Sequence, residues 1–95
     1  MTRYKTRKGI VLAEVCGEYL LVAAKAAQDF CPYVTQINET SAFLWRKLGS
    51  GLTITQLMES VSEEYELDEP ELALKAIESF ILQMLDLNYL LKEDD

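Results

Sequence analysis

The first half of the chain carries short apolar runs that predict β-strands. Two runs rich in β-branched residues, 10–15 and 19–23, flank Gly17, which can adopt the positive φ of a tight hairpin turn. A third run, 33–37, follows Pro32, which has no N–H to donate and is therefore expected before a strand and not within it. The pattern predicts a three-stranded antiparallel sheet.

The second half changes to helical periodicity, and two capping signals mark where its first helices begin. Asn38 is the expected N-cap of a helix over about residues 39–48, because its side-chain oxygen can accept a hydrogen bond from a free backbone N–H. Thr53 and Gln56 have the spacing of a capping box. They predict a second helix over about residues 53–66.

The third helix is expected to be the longest, from a cap at Asp68 to about Leu87, with Pro70 in its first turn and Asn88 in a left-handed C-terminal cap. Its apolar arc covers more than half of the circumference, whereas a helix packed on one side needs about 100–140°. The excess is either covered by the rest of the domain or lines a groove for a partner, and the helix alone leaves both possibilities open. The centre of the arc is formed by Ala73, Ile77, Phe80 and Met84.

Length and composition limit this chain to one small α+β domain, with the sheet followed by three helices. Ninety-five residues bury a single core and leave no room for a separate catalytic lobe. Residues 1–8, with four cations, are expected to form a basic N-terminal arm, and residues 92–95 an acidic tail, so the domain spans residues 9–91.

The charge distribution argues against nucleic acid as a partner. The net charge is −7, and residues 59–95 carry twelve acids against Lys75 and Lys92, so most of the surface is expected to repel phosphate. The second helix has no Lys or Arg, and only Gln56 could contact a base edge. A DNA-binding winged helix is therefore the weakest of the candidate functions.

The residues that usually carry catalysis or bind cofactors are scarce. The chain has no histidine, and the acids of residues 63–69 have the pattern of a solvated helix end, so no metal, cofactor or enzymatic activity is expected. Ser50 lies between glycines and not in the Asp-Ser-Leu of a carrier protein, and Cys16 and Cys31 are expected as reduced thiols in or near the core. With no signal peptide and no apolar run of about 20 residues, the cytoplasm is the expected location.

An ordered set of short motifs resembles the PqqD-like family over about residues 9–91. The step into the first helix is matched by Ile37, Asn38, Thr40, Ala42 and Trp45; the next turn and helix by Gly51, Thr53, Ile54 and Leu57; and the last helix and its end by Ile77, Phe80, Ile81, Leu85, Tyr89 and Leu90. Two positions depart from the family pattern: Ala76 replaces a common acid, and Asn88 replaces a common glycine.

This resemblance implies a small winged-helix-like domain that binds the leader segment of a ribosomally made precursor peptide. Such a domain presents the peptide to a modifying enzyme, often a radical S-adenosylmethionine (SAM) maturase, and has no catalysis of its own. The leader adds as a strand to the third predicted strand and lies against the third helix. The open alternative is a structural or regulatory subunit of an enzyme complex without peptide binding; oligomeric state is not decided by the sequence.

The expected peptide site combines a strand edge with one flank of the third helix. The edge is formed by Tyr33, Val34, Thr35, Gln36 and Ile37. The first flank, which we favour, is formed by Leu74, Lys75, Glu78, Ile81 and Leu85, with Lys75 available to an acidic leader residue. The second flank is formed by Leu72, Ala76, Ser79 and Gln83. The sequence does not decide which flank faces the edge.

Overall fold

A computed structural model describes residues 1–94 and confirms a mixed α+β domain with three helices. The helices are α1 (Glu39–Leu48), α2 (Ile54–Glu64) and α3 (Pro70–Asp86). The strands are β1 (Thr2–Thr6), β2 (Ile10–Val15), β3 (Glu18–Ala23), β4 (Val34–Ile37) and β5 (Leu90–Asp94). They form two antiparallel sheets, one in the order β2-β3-β4 and one that pairs β1 with β5.

The two-stranded sheet is the feature that the sequence did not predict. Residues expected as a basic arm and an acidic tail pair as strands, with Thr2 opposite Asp94 and Thr6 opposite Leu90. Tyr4 also forms a bridge to Leu52, so β1 is tied to the turn before α2. The prediction of three strands was therefore incomplete, because this pairing joins distant and largely polar segments. Asp95 of the expected tail lies outside the described residues.

The caps of α1 and α2 and the hairpin glycine predicted from the sequence are present in the structure. Asn38 caps α1 by accepting a 2.7 Å hydrogen bond from the backbone N–H of Ser41. Thr53 and Gln56 form both hydrogen bonds of the capping box at α2. Gly17 has a φ of 80° in the β2–β3 hairpin. These interactions confirm the expected starts of α1 and α2.

The predicted start of α3 was wrong by a small shift with a clear cause. The N-cap is Glu69, which makes no side-chain capping hydrogen bond, and not Asp68. A residue that precedes proline is sterically disfavoured in the α conformation, so Glu69 stays outside the helix and Pro70 is the first helical residue. At the other end Asn88 has a φ of 64°, which confirms the left-handed cap.

The core lies between the three-stranded sheet and the helices. Leu21 and Ala23 of β3 are 0% and 1% exposed, so this side of the sheet faces inward. Most of the apolar arc of α3 is covered by the core, although Leu72 at its margin stays 58% exposed. Leu82 lies on the opposite side of the helix and is 67% exposed. The largest side chains that are fully buried are Tyr89, Leu21, Leu48, Leu57, Ile81 and Met84.

The two cysteines lie in different environments, which gives a direct test of the packing. Cys31 is buried and Cys16 is exposed, so the expectation of thiols in or near the core is confirmed for Cys31 alone. Burial raises the pKa of the Cys31 thiol, although Arg7 acts in the opposite direction. We expect iodoacetamide at mildly alkaline pH to alkylate Cys16 quickly and Cys31 only after denaturation, because the thiolate is the reacting form. Peptide mass mapping of the modified protein provides the measurement, and rapid alkylation of both cysteines would contradict the packing.

Candidate functional site

The free edge of β4 is the first component of the site. Within the described residues β4 has β3 as its one neighbour in the sheet. Tyr33 lies opposite Ala23 and accepts a 2.9 Å hydrogen bond from the Ala23 N–H. This bond shows which residues of β4 direct their main-chain groups toward β3: Tyr33, Thr35 and Ile37. In an antiparallel pair, alternate residues direct their main-chain groups toward the neighbouring strand. Val34 and Gln36 therefore direct their N–H and C=O groups outward, where another strand can pair.

Tyr89 anchors β4 on the side of the strand that faces the core. It is fully buried and its ring packs edge-on against Trp45 at a centroid distance of 6.2 Å. Its hydroxyl donates a 3.0 Å hydrogen bond to the carbonyl of Pro32 and is 2.5 Å from the hydroxyl of Thr35. The inward side of β4 is thus fixed by hydrogen bonds, and its outward main-chain groups stay available.

Asn88 fixes the loop that leads into β4. Its carbonyl accepts hydrogen bonds from the Cys31 thiol at 2.9 Å and from the Arg7 guanidinium at 2.7 Å. Its side-chain amide donates a 2.9 Å hydrogen bond to the carbonyl of Phe30. Sequence reasoning assigned no such role to Asn88 or Tyr89, although the family motif at the end of the last helix includes this segment.

A cleft between α1 and α3 opens at the end of β4 and forms the second component. This α1–α3 cleft encloses about 270 Å³, and every side chain that lines it is uncharged. Because Asn38 directly follows β4 and lines the cleft, a peptide along the strand edge would reach it. The lining consists of Asn38, Thr40, Ser41 and Leu44 from the start of α1, and of Ala76, Ser79, Phe80 and Gln83 from α3.

The cleft continues into a more apolar pocket between the three helices. Thr40, Leu44 and Ala76 line both spaces. This Tyr65 pocket has a volume of about 240 Å³, and its remaining lining is Val61, Tyr65, Leu67, Ala73 and Ile77. Tyr65 packs edge-on against Phe43 at a centroid distance of 5.3 Å. The groove beside α3 is therefore polar near β4 and apolar further along.

The structure brings the end of β4 together with the second flank of α3. Ala76, Ser79 and Gln83 line the α1–α3 cleft. The five residues of the first flank lie outside that lining: Ile81 belongs to the core, Leu74 and Leu85 are half-buried, and Lys75 and Glu78 are exposed. Lys75 and Leu72 instead line a depression at the start of α3 with Glu69, Pro70 and Glu71.

The predicted edge residues alternate in exposure as expected for a strand at the rim of a sheet. Val34 and Gln36 are exposed, while Thr35 and Ile37 are half-buried against the core. Tyr33 precedes the strand and is 62% exposed. The edge therefore offers an exposed aromatic ring at its start and a polar cleft at its end.

Two other kinds of functional feature, a metal site and a membrane-spanning helix, were looked for in the part of the chain that the structure describes, and neither is found there. Within residues 1–94, no cluster of three or more Cys, Asp or Glu side chains has the arrangement of a metal site. None of the helices in this range is both long enough and apolar enough to span a bilayer.

Comparisons with known proteins assign the family. Two solved structures share the fold. "Lasso peptide synthetase B1 complexed with the leader peptide" has a TM-score of 0.69 at 19% identity and covers 93% of this chain and 96% of that one. "TbiB1 in Complex with the TbiA(beta) Leader Peptide" has a TM-score of 0.71 at 15% identity and covers 96% and 99%. A search of curated proteins finds no significant match. The family model described as coenzyme PQQ synthesis protein D (PqqD) matches residues 9–90, and the chain therefore belongs to the PqqD family.

Proposed function

We propose that this protein is a non-catalytic, winged-helix-like domain that binds the leader segment of a ribosomally synthesised precursor peptide. The leader adds as a strand to the outward edge of β4, and the domain presents it to a modifying enzyme. Following the family resemblance, we propose a radical SAM maturase as that enzyme.

The single observation that carries this proposal is the free edge of β4 beside a cleft on α3. Val34 and Gln36 offer main-chain donors and acceptors that can pair with any extended chain. Side-chain selectivity comes from the neighbouring cleft and the Tyr65 pocket. Family membership and the two structural neighbours, both named as complexes with leader peptides, support the same interpretation.

The geometry also supports a choice between the two flanks of α3. We propose that the peptide contacts the second flank, through Ala76, Ser79 and Gln83, because these residues line the cleft at the end of β4. The lining is uncharged, so contacts there are apolar or hydrogen-bonded, and an ion pair between the leader and Lys75 is not part of the proposal.

A backbone-amide NMR titration tests the proposed site. The probe is a synthetic peptide with the sequence of about the first 20 residues of a short precursor encoded beside this gene, and micromolar affinity is typical of strand addition combined with one groove. We expect the largest shift changes at Val34, Gln36, Ser79 and Gln83, and small changes at Lys75 and Glu78, which serve as the internal control on the same helix. Changes centred on Lys75 and Glu78 would favour the first flank, and the absence of any change at saturating peptide would contradict peptide binding.

A further inference from the structure

A pocket separate from the peptide site lies where the β1–β2 connection, the loop before β4 and β5 meet. We call it the Phe30 pocket; its apolar lining is Ala26, Ala27, Phe30 and Leu91, and its cations are Arg7 and Lys8. Its volume of about 390 Å³ is within the range of about 300–1,000 Å³ that is typical of ligand pockets, so an aromatic or branched aliphatic side chain fits inside. None of its lining residues belongs to β4, the α1–α3 cleft or the Tyr65 pocket.

The walls of the Phe30 pocket are fixed by hydrogen bonds of the main chain. The N–H of Ala24 donates a 2.7 Å bond to the Gly9 carbonyl, and the N–H of Phe30 donates a 3.0 Å bond to the Ala27 carbonyl. Gly9 has a φ of 92°, and a Cβ there would lie 3.2 Å from the Cβ of Ala27, so the connection and the loop are in close contact. The side-chain amide of Asn88 holds the Phe30 carbonyl at 2.9 Å. The pocket is therefore preformed.

Two cations without acidic partners lie beside the apolar lining. The Nε of Arg7 donates a 2.7 Å hydrogen bond to the Asn88 carbonyl, and its guanidinium lies over the Phe30 ring, 5.3 Å from the centroid. Lys8 is exposed. Within residues 1–94 neither cation forms an ion pair with a carboxylate, and Asp29, the acid next to Phe30 in the chain, is not part of the lining. A protein with a net charge of −7 thus keeps a locally positive surface beside an aromatic ring that is 58% exposed.

These features favour an acidic segment with one apolar anchor as the occupant. The anchor leaves water by packing on Phe30 and Leu91, and carboxylates on either side of it meet Arg7 and Lys8. The position of the pocket narrows the choice of partner. Phe30 is four residues before Val34, so their Cα atoms are at most about 14 Å apart. A protein bound at the pocket therefore lies close to the point where a leader paired with β4 begins or ends.

We propose that the Phe30 pocket docks the modifying enzyme, through an apolar side chain flanked by acidic residues on the surface of that enzyme. This inference rests on the proposed function, because a domain that presents a bound leader needs a contact with the enzyme outside the strand edge and the cleft. The Phe30 pocket meets this requirement, since it shares no residue with the peptide site. Leader and enzyme can then be bound at the same time.

Isothermal titration calorimetry of the full chain with the purified modifying enzyme encoded beside this gene tests the docking. Lys8→Glu is expected to weaken enzyme binding by about tenfold or more, because it places a carboxylate where the acidic segment binds. Lys75→Glu is the matched control, since Lys75 is also exposed, the change in net charge is the same and the residue lies outside the pocket. This control should keep the wild-type affinity. Unchanged affinity of Lys8→Glu, an equal loss in both variants or no enzyme binding to the wild type would overturn the proposal.

A synthetic peptide, acetyl-Asp-Glu-Phe-Leu-Glu-amide, tests the chemistry of the pocket directly. Titrated into the ¹⁵N-labelled chain, it should shift the amides of Lys8, Gly9 and Phe30 most strongly. A peptide with amides in place of the carboxylates should bind about fivefold more weakly, since exposed ion pairs contribute little each. Shift changes centred on Val34 and Gln36 would mean that the probe occupies the strand edge, and would overturn the assignment of the pocket.

Leader affinity distinguishes a failure of this inference from a failure of the proposed function. In fluorescence anisotropy, Lys8→Glu should bind the leader as tightly as the wild type, because Lys8 lies outside the peptide site. A loss of leader affinity in Lys8→Glu would assign the pocket to the leader and overturn the docking. Normal leader binding with unchanged enzyme affinity in this variant would overturn the docking alone.

Discussion

Gln36→Pro is expected to weaken leader-peptide binding by about tenfold or more. Proline removes the N–H that Gln36 directs outward, and its ring occupies the space where the added strand would pair. One lost hydrogen bond and a partly blocked neighbour together correspond to about 1.5 kcal/mol or more. The inner ladder to β3 is retained, since proline is tolerated on an edge strand where its N–H would face solvent.

The matched control is Glu14→Pro on the opposite edge of the same sheet. The hydrogen bond from Ala24 to Gly9 shows that every second residue of β2, counted from Gly9, directs its main-chain groups toward β3. Glu14 falls between these residues and therefore directs its main-chain groups away from β3. Glu14 is exposed, as Gln36 is. Both variants should therefore have similar melting temperatures, while only Gln36→Pro loses peptide affinity in fluorescence anisotropy. Equal affinity of the two variants would exclude strand addition at β4.

We expect Tyr89→Phe to have the largest effect on stability for the loss of a single atom. The ring and its contact with Trp45 are kept, but the carbonyl of Pro32 and the hydroxyl of Thr35 lose their partner. The loss of two part-buried hydrogen bonds costs about 1–2 kcal/mol, which lowers the melting temperature of a domain of this size by about 5–10 °C. Because β4 is no longer held on its inward side, peptide affinity should fall as well.

Tyr65→Phe is the control for this change, and thermal unfolding followed by circular dichroism is the measurement. Tyr65 is 38% exposed, and phenylalanine keeps its edge-on contact with Phe43. A surface change of this kind is expected to stay within about 0.5 kcal/mol. Equal melting temperatures of the two variants would show that the Tyr89 hydroxyl does not support β4.

Signals that depend on neighbouring residues could be predicted from the sequence. Asn38, Thr53 and Gln56 act within one helical turn, so their hydrogen bonds follow from spacing alone. The error at Asp68 was also local: the restriction that Pro70 places on Glu69 outweighed the capping preference of Asp68.

Features that depend on distant residues were harder to predict. The pairing of β1 with β5 joins segments from the two ends of the chain, and β5 lacks the apolar alternation that marks a strand. Thr2, Tyr4 and Thr6 do alternate with cations, and this was the one available signal. Which flank of α3 lies at the end of β4 depends on how that helix packs in three dimensions, and helical periodicity carries no such information.

The β1–β5 pairing has a consequence for how this domain can be joined to others. Thr2 lies opposite Asp94, and their side chains share a 2.6 Å hydrogen bond. A polypeptide appended before Thr2 and one appended after Asp94 would therefore leave from the same place on the surface. The domain is thus suited to insertion within a loop of a larger enzyme, since the host chain can enter and leave with little displacement of its own loop ends.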